Sequence, residues 1–461
     1  MIVLGSSRQI GGGLALALVG RARLFPRTWL DRPRALLGAT RANLRALARG
    51  RRLAPGSLRP PTAAELGDER YLLKRFERHG PVFKVWLGGK VTTCLIGIPL
   101  GHRFLAECED CIEAATPDLK PVFPQGFLRQ MQGETHAHYR KLFAEALRAA
   151  DYRAHQEANR QSIDRALSAI AAEPQPAELG VARDLGRQAA KETLFRMVLG
   201  VEPGWHGHDR LAEAFRAYAP DGTFVSPAPQ QMAAYGEMSE LLMLRAGEIE
   251  REQALPSMLA SIVSSGGLDE TAVGNLLHMT ETGQFDLTGL WCWILSILGR
   301  NPAFVERIAA EGDERRRDAL CTAVAQETLR LAQSEYVTRR ATQDIVFEGF
   351  LIPKRTMVRI AVWEAHKDPG IFDEPFRFDP MRFVDQEVPA DRYAPLGIGK
   401  RRCLGAGWVV GLSSLFVQQI VSGFRIETVG PGGALRGRFH FEPSDRLVVR
   451  RRERDGLAAR N

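Results

Sequence analysis

The stretch PLGIGKRRCLGAGW, residues 395–408, constrains this chain more than any other segment. It holds one cysteine, Cys403, among four glycines, and three basic residues come directly before that cysteine. Glycine allows tight turns and close approach of another group, and nearby positive charge favours a thiolate over a thiol. The stretch contains no second cysteine for a disulfide. The pattern therefore indicates a loop that shapes the surroundings of a single thiol.

The rest of the chain has the composition of a large globular protein. Of 461 residues, 45% are hydrophobic and 25% are charged, and no linker, repeat or low-complexity tract interrupts the middle. Six irregularly spaced cysteines do not form a disulfide framework and favour a reducing compartment. We therefore expect one large catalytic domain, residues 64–461, after a basic extension, residues 1–63.

The positive charge is concentrated at the N-terminus. The net charge is +8, but residues 1–60 contain twelve arginines and one acid, Asp31, so the remainder sums to −3. A nearly neutral body argues against nucleic-acid binding. The uncharged run 9–20 is too short for a transmembrane helix. A frayed extension, contact with an anionic membrane surface and an arginine-rich targeting segment all stay open.

Hydrophobic periodicity predicts a mainly helical chain with a smaller β portion. Residues 63–80 have helical spacing up to Gly80, and 81–98 form two strands around a Gly88-Gly89 turn. Residues 136–330 are mostly helical, apart from a proline-bearing loop at 218–231. Short strands and turns follow Arg330, and a last helix follows Gly405.

Three pieces in a fixed order carry the chemistry. QETLRL places Glu327 and Arg330 three residues apart on a helix, a spacing also common in surface ion pairs. FRFDPMRF, 376–383, presents Arg382 after a proline, and G-x-G-x-R-x-C-x-G fills 397–405. From about residue 64 to the C-terminus, this ordered set resembles the cytochrome P450 family of haem-thiolate oxygenases.

The resemblance implies a cytochrome P450 fold, with haem b between a long central helix and the helix after the cysteine loop. It implies that Cys403 is the axial thiolate of the haem iron, and that Glu327, Arg330 and Arg382 form the ion network on its proximal side. It further implies a set of residues around the propionates and the macrocycle: His136, Arg140, Arg339, Arg401, Gly397, Gly399 and Gly405. Family topology places four residues in the substrate pocket: Phe123, Phe127, Phe224 and Val337. Leu396 departs from the family's usual phenylalanine, which bears on packing around the thiolate.

The central helix departs from the family at its oxygen-activation motif, usually A-G-x-[DE]-T. Counting about four turns back from Asn301-Pro302 places residues 282–286, TGQFD, on the motif, so Asp286 replaces the threonine. A register shifted by one turn makes Glu281 and Thr282 the acid–alcohol pair instead. Both registers stay open, and these three residues are the candidate catalytic groups.

His278, Thr282 and Asp286 are spaced i, i+4, i+8 and form a polar stripe with Glu281 beside it. The stripe faces either solvent or the pocket, and in the pocket His278 would contact the substrate. Ionisable groups there are costly unless solvated, paired or used. We expect Asp286 to take over proton delivery from the missing pair.

The expected activity is that of an oxidoreductase: a haem-thiolate monooxygenase that inserts one oxygen atom of O2 into a small, polar organic substrate, as in secondary metabolism. Electrons come from separate proteins, a ferredoxin with its reductase or a flavodoxin-type donor, because 58 residues after Cys403 are too few for a reductase domain. Lys400 and Arg402 are candidate docking charges. Alternatives are a member that uses peroxide or catalyses a rearrangement or dehydration, and a haem-binding sensor. The expected location is cytoplasmic, with peripheral membrane contact through the N-terminus as one option.

Overall fold

The structure is a computed structural model, and it describes most of the chain. The described residues are 31–115, 123, 126–219, 228–251, 255–334, 336–384, 387–437 and 440–452. Phe224, one of the predicted pocket residues, lies outside them.

Helices dominate the described residues, as predicted. In chain order they are α1 (Asp31–Ala48), α2 (Ala63–Gly67), α3 (Leu73–His79), α4 (Ile98–Glu107), α5 (Gly133–Ala149), α6 (Gln156–Ala172), α7 (Leu179–Leu194), α8 (His208–Tyr218), α9 (Pro229–Ile249), α10 (Met258–Ser264), α11 (Glu270–Arg300), α12 (Pro302–Ala309), α13 (Glu314–Leu331), α14 (Val362–Ala365) and α15 (Ala406–Gly423).

Short strands make up the smaller β portion. They are β1 (Arg52–Leu53), β2 (Val82–Leu87), β3 (Lys90–Ile96), β4 (Ile112–Ala114), β5 (Ala177–Glu178), β6 (Val337–Ala341), β7 (Ile345–Phe347), β8 (Phe350–Ile352), β9 (Met357–Ala361), β10 (Phe424–Val429), β11 (Ala434–Arg436), β12 (Phe441–Pro443) and β13 (Arg446–Arg451).

The chain forms two compact units. One comprises Met1–Ala115 and Tyr336–Glu364, the other Thr116–Glu335 and Ala365–Asn461. The division into a basic extension and a single catalytic domain stays a prediction.

The first unit is built on a five-stranded sheet in the order β2-β3-β9-β6-β4. The predicted hairpin is confirmed: β2 and β3 pair antiparallel, with Leu87 opposite Lys90. Gly88 and Gly89 both have positive φ, as a two-residue hairpin turn requires. The single helix predicted over 63–80 is instead α2 and α3. Thr62 and Glu65 form a capping box at the start of α2, and Asp68 leaves the helical region immediately after it.

The second unit is helical and is organised around α11, 31 residues long. The Asp269 side chain caps its start by accepting the Ala272 N–H at 2.7 Å, and Asn301-Pro302 ends it. Its N-terminal half is buried in a core cluster with α5, α8, α9 and α10. Its C-terminal half is buried in a second cluster with α6, α13 and α15. The polar residues 278–286 therefore lie where α11 passes from one core to the other.

The helix predicted after Gly405 is α15, and it is strongly apolar. Among the described residues it is the helix with the length and hydropathy of a membrane span. Leu412, Phe416 and Ile420 are buried in the second core cluster, and the Phe416 ring stacks on Trp291 of α11 with centroids 4.6 Å apart. These contacts are those of a core helix.

Candidate functional site

The loop before α15 presents Cys403 at the surface. Gly397 and Gly399 have φ of 90° and 65°, a left-handed conformation that favours glycine. The Cys403 N–H donates to the Leu396 carbonyl oxygen at 3.0 Å and closes the loop. A side chain at Gly405 would place its first carbon 3.9 Å from the Cys403 sulfur. The glycines thus hold the backbone in a tight loop with an exposed thiol that is not in a disulfide.

Two arginines bring positive charge to this loop. Arg140, on α5, donates from Nη2 to the Arg402 carbonyl oxygen at 3.2 Å. Burial lowers the pKa of the Arg140 guanidinium, and the Cys403 thiolate opposes that shift, so the two groups are close enough to interact. Arg401 donates to the carbonyl oxygens of residues 128, 129 and 131, at 3.0, 3.1 and 2.5 Å. This field favours ionisation of the thiol.

His136 lies on α5 one turn before Arg140 and is buried. In this structure Arg401 ties the loop to the segment before α5 rather than extending away from it. The structure thus places Arg140 and Arg401 beside the Cys403 loop, and their roles in haem binding stay predictions.

The predicted ion network is buried in the second unit. Glu327 and Arg330 are fully buried and paired twice, with N–O distances of 2.6 and 2.7 Å. Arg382 adds a longer contact, 3.7 Å from its Nε to Glu327 Oε1. The Asp379 N–H donates to the same carboxylate at 3.0 Å. Arg330 also donates to carbonyl oxygens of the segment 366–377. The pair therefore fixes α13 to the chain that leads to the cysteine loop.

His278 faces aromatic rings on the N-terminal side of the α11 midpoint. Its ring lies 4.5 Å from that of Phe127 and 5.6 Å from that of Phe123, centroid to centroid. Burial, with a contribution from Arg129, lowers the pKa of His278 to about 4, so the imidazole is neutral at pH 7. The three predicted pocket residues His278, Phe123 and Phe127 are thus in contact.

Glu281 and Thr282 occupy different environments. Glu281 is fully buried, and its charge contributes, after burial, to raising the pKa of Tyr218 on α8. The Thr282 hydroxyl donates to the His278 carbonyl oxygen of its own helix at 2.8 Å. An acid–alcohol pair in the shifted register would therefore need Thr282 to leave that bond.

Asp286 faces the hairpin of β11 and β12. Its carboxylate oxygen lies 3.7 Å from Nε2 of His440, and the Asp286 side chain is 45% exposed. His440 also lines a cavity of about 30 Å3, together with Phe285 and Gln333 among others, and this cavity has room for a water molecule. Asp286 is thus a solvated carboxylate beside a histidine. The stripe His278, Thr282, Asp286 does not share a single environment.

Comparisons with known proteins give the family and the fold that the chain resembles. A family sequence model described as cytochrome P450 matches residues 289–434, which include the ion network and the Cys403 loop. Residues 289–434 are thus similar in sequence to the cytochrome P450 family. The solved structure of a cyanobacterial P450, CYP120A1 with bound retinoic acid, has a TM-score of 0.69 at 20% identity, over 87% of this chain and 99% of that one. A zebra fish cytochrome P450 with abiraterone has a TM-score of 0.64 at 19% identity, over 83% of this chain and 99% of that one. These likenesses show the P450 fold.

Curated relatives are distant. A Mycobacterium tuberculosis protein named cytochrome P450 138 is 24% identical over 84% of this chain and 92% of its own length. Ent-kaurenoic acid oxidase 1 of Hordeum vulgare is 25% identical over 42% of each chain. The chain spans about two fifths of the length of the first plant relatives it matches. The matched region is therefore similar to that of haem-thiolate monooxygenases.

The residues around Cys403 fit a haem. Cys403 offers an exposed sulfur donor, which suits iron, and Arg140 and Arg401 lie beside it. Apolar residues that follow the thiol, Leu404 and Trp408 among them, are only partly buried although they adjoin the core clusters. A flat, largely apolar group with two carboxylates complements such a surface. Bound there, haem supplies dioxygen activation, favoured by the electron density that a thiolate gives to iron.

Two other predicted residues lie in the first unit. Val337 and Arg339 both point from β6 into buried surroundings, and Arg339 donates to the Thr338 carbonyl oxygen at 2.8 Å. Their roles in substrate and propionate binding stay predictions.

Sequence reasoning missed three polar residues that position this site. Asn275 of α11 accepts the Leu128 N–H at 2.7 Å and so holds the segment that carries Phe127. His440 faces Asp286, and His366 lies against the ion network. None of the three stands at an informative sequence spacing from Cys403, so only tertiary contacts reveal them.

Proposed function

We propose that this chain is a haem b monooxygenase that inserts one atom of O2 into a small, polar organic substrate. The balanced reaction consumes a substrate C–H bond, O2, two electrons and two protons, and it yields an alcohol and water. The observation that carries this proposal is the exposed Cys403 thiol, held by a glycine loop beside Arg140 and Arg401. Such a thiolate is a suitable axial ligand, and the buried Glu327–Arg330 pair supports the chain behind it.

The test is spectroscopic. We expect the reduced protein with carbon monoxide to show the red-shifted Soret band of thiolate-ligated iron, and Cys403→Ala to lose it. Cys111→Ala is the matched control, because Cys111 is also an accessible cysteine outside any disulfide and belongs to the first unit. If the Cys403→Ala protein keeps the band, Cys403 is not the axial ligand of the haem iron. A normal band without turnover of any substrate would favour a sensor.

The contacts around His278 support a small substrate with a polar group. Neutral imidazole both donates and accepts hydrogen bonds, and Phe123 and Phe127 supply apolar walls. A compound panel screened for displacement of the iron-bound water, read in the Soret band, identifies the chemical class. We expect hits with one hydrogen-bonding group to lose affinity in His278→Phe, and plain hydrocarbons to gain it.

Asp286 is the proposed proton donor for the reaction. A carboxylate can take a proton from solvent and pass it on, whereas a threonine hydroxyl only relays protons. The exposed side chain gives Asp286 contact with water, the carboxylate lies 3.7 Å from His440 Nε2, and His440 also lines the small cavity. Glu281 and Thr282 are the alternative pair in the shifted register.

A carboxylate at this position also favours a second candidate activity, turnover driven by hydrogen peroxide. Asp286 can accept a proton from hydrogen peroxide as it binds. The peroxide itself supplies the oxygen atom and the two reducing equivalents, so the products are the alcohol and water and no redox partner is needed. Comparison of turnover with peroxide and with reduced partner proteins distinguishes the two. A rearrangement or dehydration would proceed with neither.

Separate redox proteins are the proposed electron donors. Lys400 and Arg402 are exposed on the Cys403 loop, where an acidic ferredoxin or flavodoxin-type protein would come near the iron ligand. We place the enzyme in the cytoplasm, in keeping with cysteines that form no disulfide among the described residues.

Peripheral membrane contact is proposed for α1. Its exposed side chains include Leu37, Leu44 and Leu47, at 60%, 62% and 71% exposure, and the exposed Arg41 and Arg45 lie beside them. On a helical wheel these leucines share one side, next to the arginines. Leucines that enter an interface and arginines that meet anionic headgroups are typical of interfacial helices.

A further inference from the structure

The side chain of His366, which is fully buried, connects the ion network to the Cys403 loop. The Arg330 guanidinium donates to the His366 carbonyl oxygen at 3.1 Å. The ring Nδ1 lies 2.8 Å from the Ser334 hydroxyl, at the end of α13. The Ala394 N–H donates to the ring Nε2 at 3.1 Å. One side chain thus contacts the ion network, the end of α13 and the start of the loop.

The hydrogen bonds fix the tautomer of this ring. The Ser334 hydroxyl donates to the Leu329 carbonyl oxygen at 2.8 Å, so its oxygen accepts from His366. Nδ1 must therefore carry the ring hydrogen. Nε2 is then the acceptor, which is what the Ala394 N–H requires. The contacts at Nδ1 and at Nε2 thus require the same neutral tautomer, with the hydrogen on Nδ1.

From Ala394 the contacts continue to the thiol. The Ala394 carbonyl oxygen accepts the Gly397 N–H at 3.2 Å and forms the first turn of the loop. The Leu396 carbonyl oxygen within that turn accepts the Cys403 N–H at 3.0 Å. A shift of Ala394 therefore reaches Cys403 through two main-chain hydrogen bonds.

We propose that His366 is a positioning residue for the thiolate ligand, and that its Nε2 acceptor holds the Cys403 loop in the geometry that binds iron. We call the contacts of Ser334, His366 and Ala394 the His366 bridge. The inference rests on the proposed function in one respect, that Cys403 is the iron ligand. Protonation of Nε2 would set a donor against the Ala394 N–H and release the start of the loop.

The charges around the ring oppose that protonation. Burial, then the cations Lys367 and Arg330, lowers the pKa of His366 well below its ordinary value. The Lys367 ammonium donates to the Arg330 carbonyl oxygen at 2.7 Å, and Glu327 is already paired with Arg330. Tyr393, whose ring centroid is 5.4 Å away, stays neutral because burial raises its pKa. No carboxylate among these contacts binds the ring itself.

The sign of the pH effect follows. A released, solvated histidine takes up a proton as the pH falls below about 6.5, while the buried ring does not. Acid therefore favours the released loop, and the bridge is fully effective only at pH values above that range. We expect thiolate ligation to be lost on acidification before the protein unfolds.

The experiment follows the thiolate-type Soret band of the reduced, carbon monoxide-bound holoenzyme from pH 8 to pH 4. His366→Gln retains an acceptor and a donor, and we expect it to keep the band at neutral pH and to lose the step that depends on histidine protonation. His366→Phe retains a ring but leaves the buried Ala394 N–H without an acceptor. We expect the ratio of thiolate-ligated to unligated protein at pH 7 to fall roughly tenfold. Its haem reduction potential should shift as well, since the ligand geometry changes.

Two further variants separate positioning from general stability. Ile163→Val removes one methylene from the second core cluster, far along the chain from the bridge, and lowers the unfolding temperature without a change in the acid midpoint of the band. Ser334→Ala frees the tautomer without touching Ala394, and should move that midpoint to higher pH. If His366→Phe fails to assemble, the acid profiles of His366→Gln and Ser334→Ala test the proposal instead. Wild-type acid profiles in both variants, or an equal midpoint shift in Ile163→Val, would overturn the proposal. A wild type without the band would instead contradict the proposed function.

Discussion

The side-chain amide of Gln333, just after α13, donates a hydrogen bond of 2.6 Å to the main-chain oxygen of Asp286 in the middle of α11. This bond attaches the helix that carries the distal polar residues to the helix that carries Glu327 and Arg330. It holds the backbone at Asp286 while leaving the carboxylate for His440 and water. Asp286 can therefore be substituted without displacing α11.

Asp286→Asn tests proton delivery. The amide keeps the size and polarity of the side chain but cannot titrate. We expect the turnover number to fall well over tenfold, which corresponds to more than about 1.4 kcal/mol in the activation barrier, with haem content unchanged. Steady-state turnover and the pyridine haemochrome content are the measurements, and Asp286→Glu is the control that restores a titrating group.

The opposite result for Asp286→Asn would identify the other register of the α11 motif. Normal turnover in Asp286→Asn together with a crippled Thr282→Ala would show that the shifted register is correct. Glu281 would then be the acid, and Thr282 would have to break its bond to the His278 carbonyl oxygen during the reaction.

The buried ion pair predicts a large loss on truncation. Glu327→Ala and Arg330→Ala each leave one buried charge without its partner, which costs about 3–5 kcal/mol in the free energy of unfolding. We expect both variants to fail at holoprotein assembly, measured by haem content and by urea unfolding. Arg377→Ala is the control, because Arg377 is 54% exposed and its pair with Asp379 is a surface ion pair, which contributes little to stability. Normal haem content in both truncations would make the pair dispensable.

The parts of the fold that local patterns determine were predictable. Gly88 and Gly89 specify the β2–β3 turn by themselves, and the apolar run after Leu287 specifies a buried helix. The Cys403 loop was predictable because positive φ at Gly397 and Gly399 is a local requirement. The break between α2 and α3 was missed, because both sides continue the same apolar periodicity.

The surroundings of the polar residues on α11 were not predictable. His278, Thr282 and Asp286 share a helical face, but their partners come from segments far apart in sequence: Phe127 for His278 and His440 for Asp286. Sequence periodicity shows which residues share a helical face, but it does not show which residues from other segments pack against that face. The bridging role of His366 was hidden for the same reason, since its acceptor serves a main-chain N–H 28 residues later.

His278 should make stability depend on pH. Burial lowers its pKa from 6.5 to about 4, so the unfolded chain binds a proton that the folded chain refuses in that range. Its contribution is complete above about pH 6.5 and is lost as the pH falls towards 4, by roughly 3 kcal/mol at most. Urea unfolding of wild type and His278→Phe at several pH values measures it. The difference between the two should change over that interval, and a constant difference would show that His278 is protonated normally.

Lys400 and Arg402 should control the rate of electron transfer. Both are exposed on the Cys403 loop, so Lys400→Glu with Arg402→Glu reverses local charge without disturbing a buried contact. We expect slower reduction by an acidic ferredoxin and a weaker salt dependence of that rate, with an unchanged Soret band. Stopped-flow reduction at several salt concentrations is the measurement. Chemical reduction by dithionite serves as the control and should not change; an unaltered ferredoxin rate would exclude this docking face.

The leucines of α1 should determine binding to anionic membranes. Leu37, Leu44 and Leu47 replaced together by Gln remove the apolar contact, while Arg41→Gln with Arg45→Gln removes charge worth about 1 kcal/mol per residue near the surface. Flotation with vesicles of anionic and of neutral lipid measures both, and only the arginine effect should weaken with salt. A deletion of residues 1–48 leaves β1 paired with β8, so it should still bind haem. Equal flotation of the deletion and the full chain would exclude a membrane role for α1, because the remaining body is nearly neutral and offers anionic lipid little attraction.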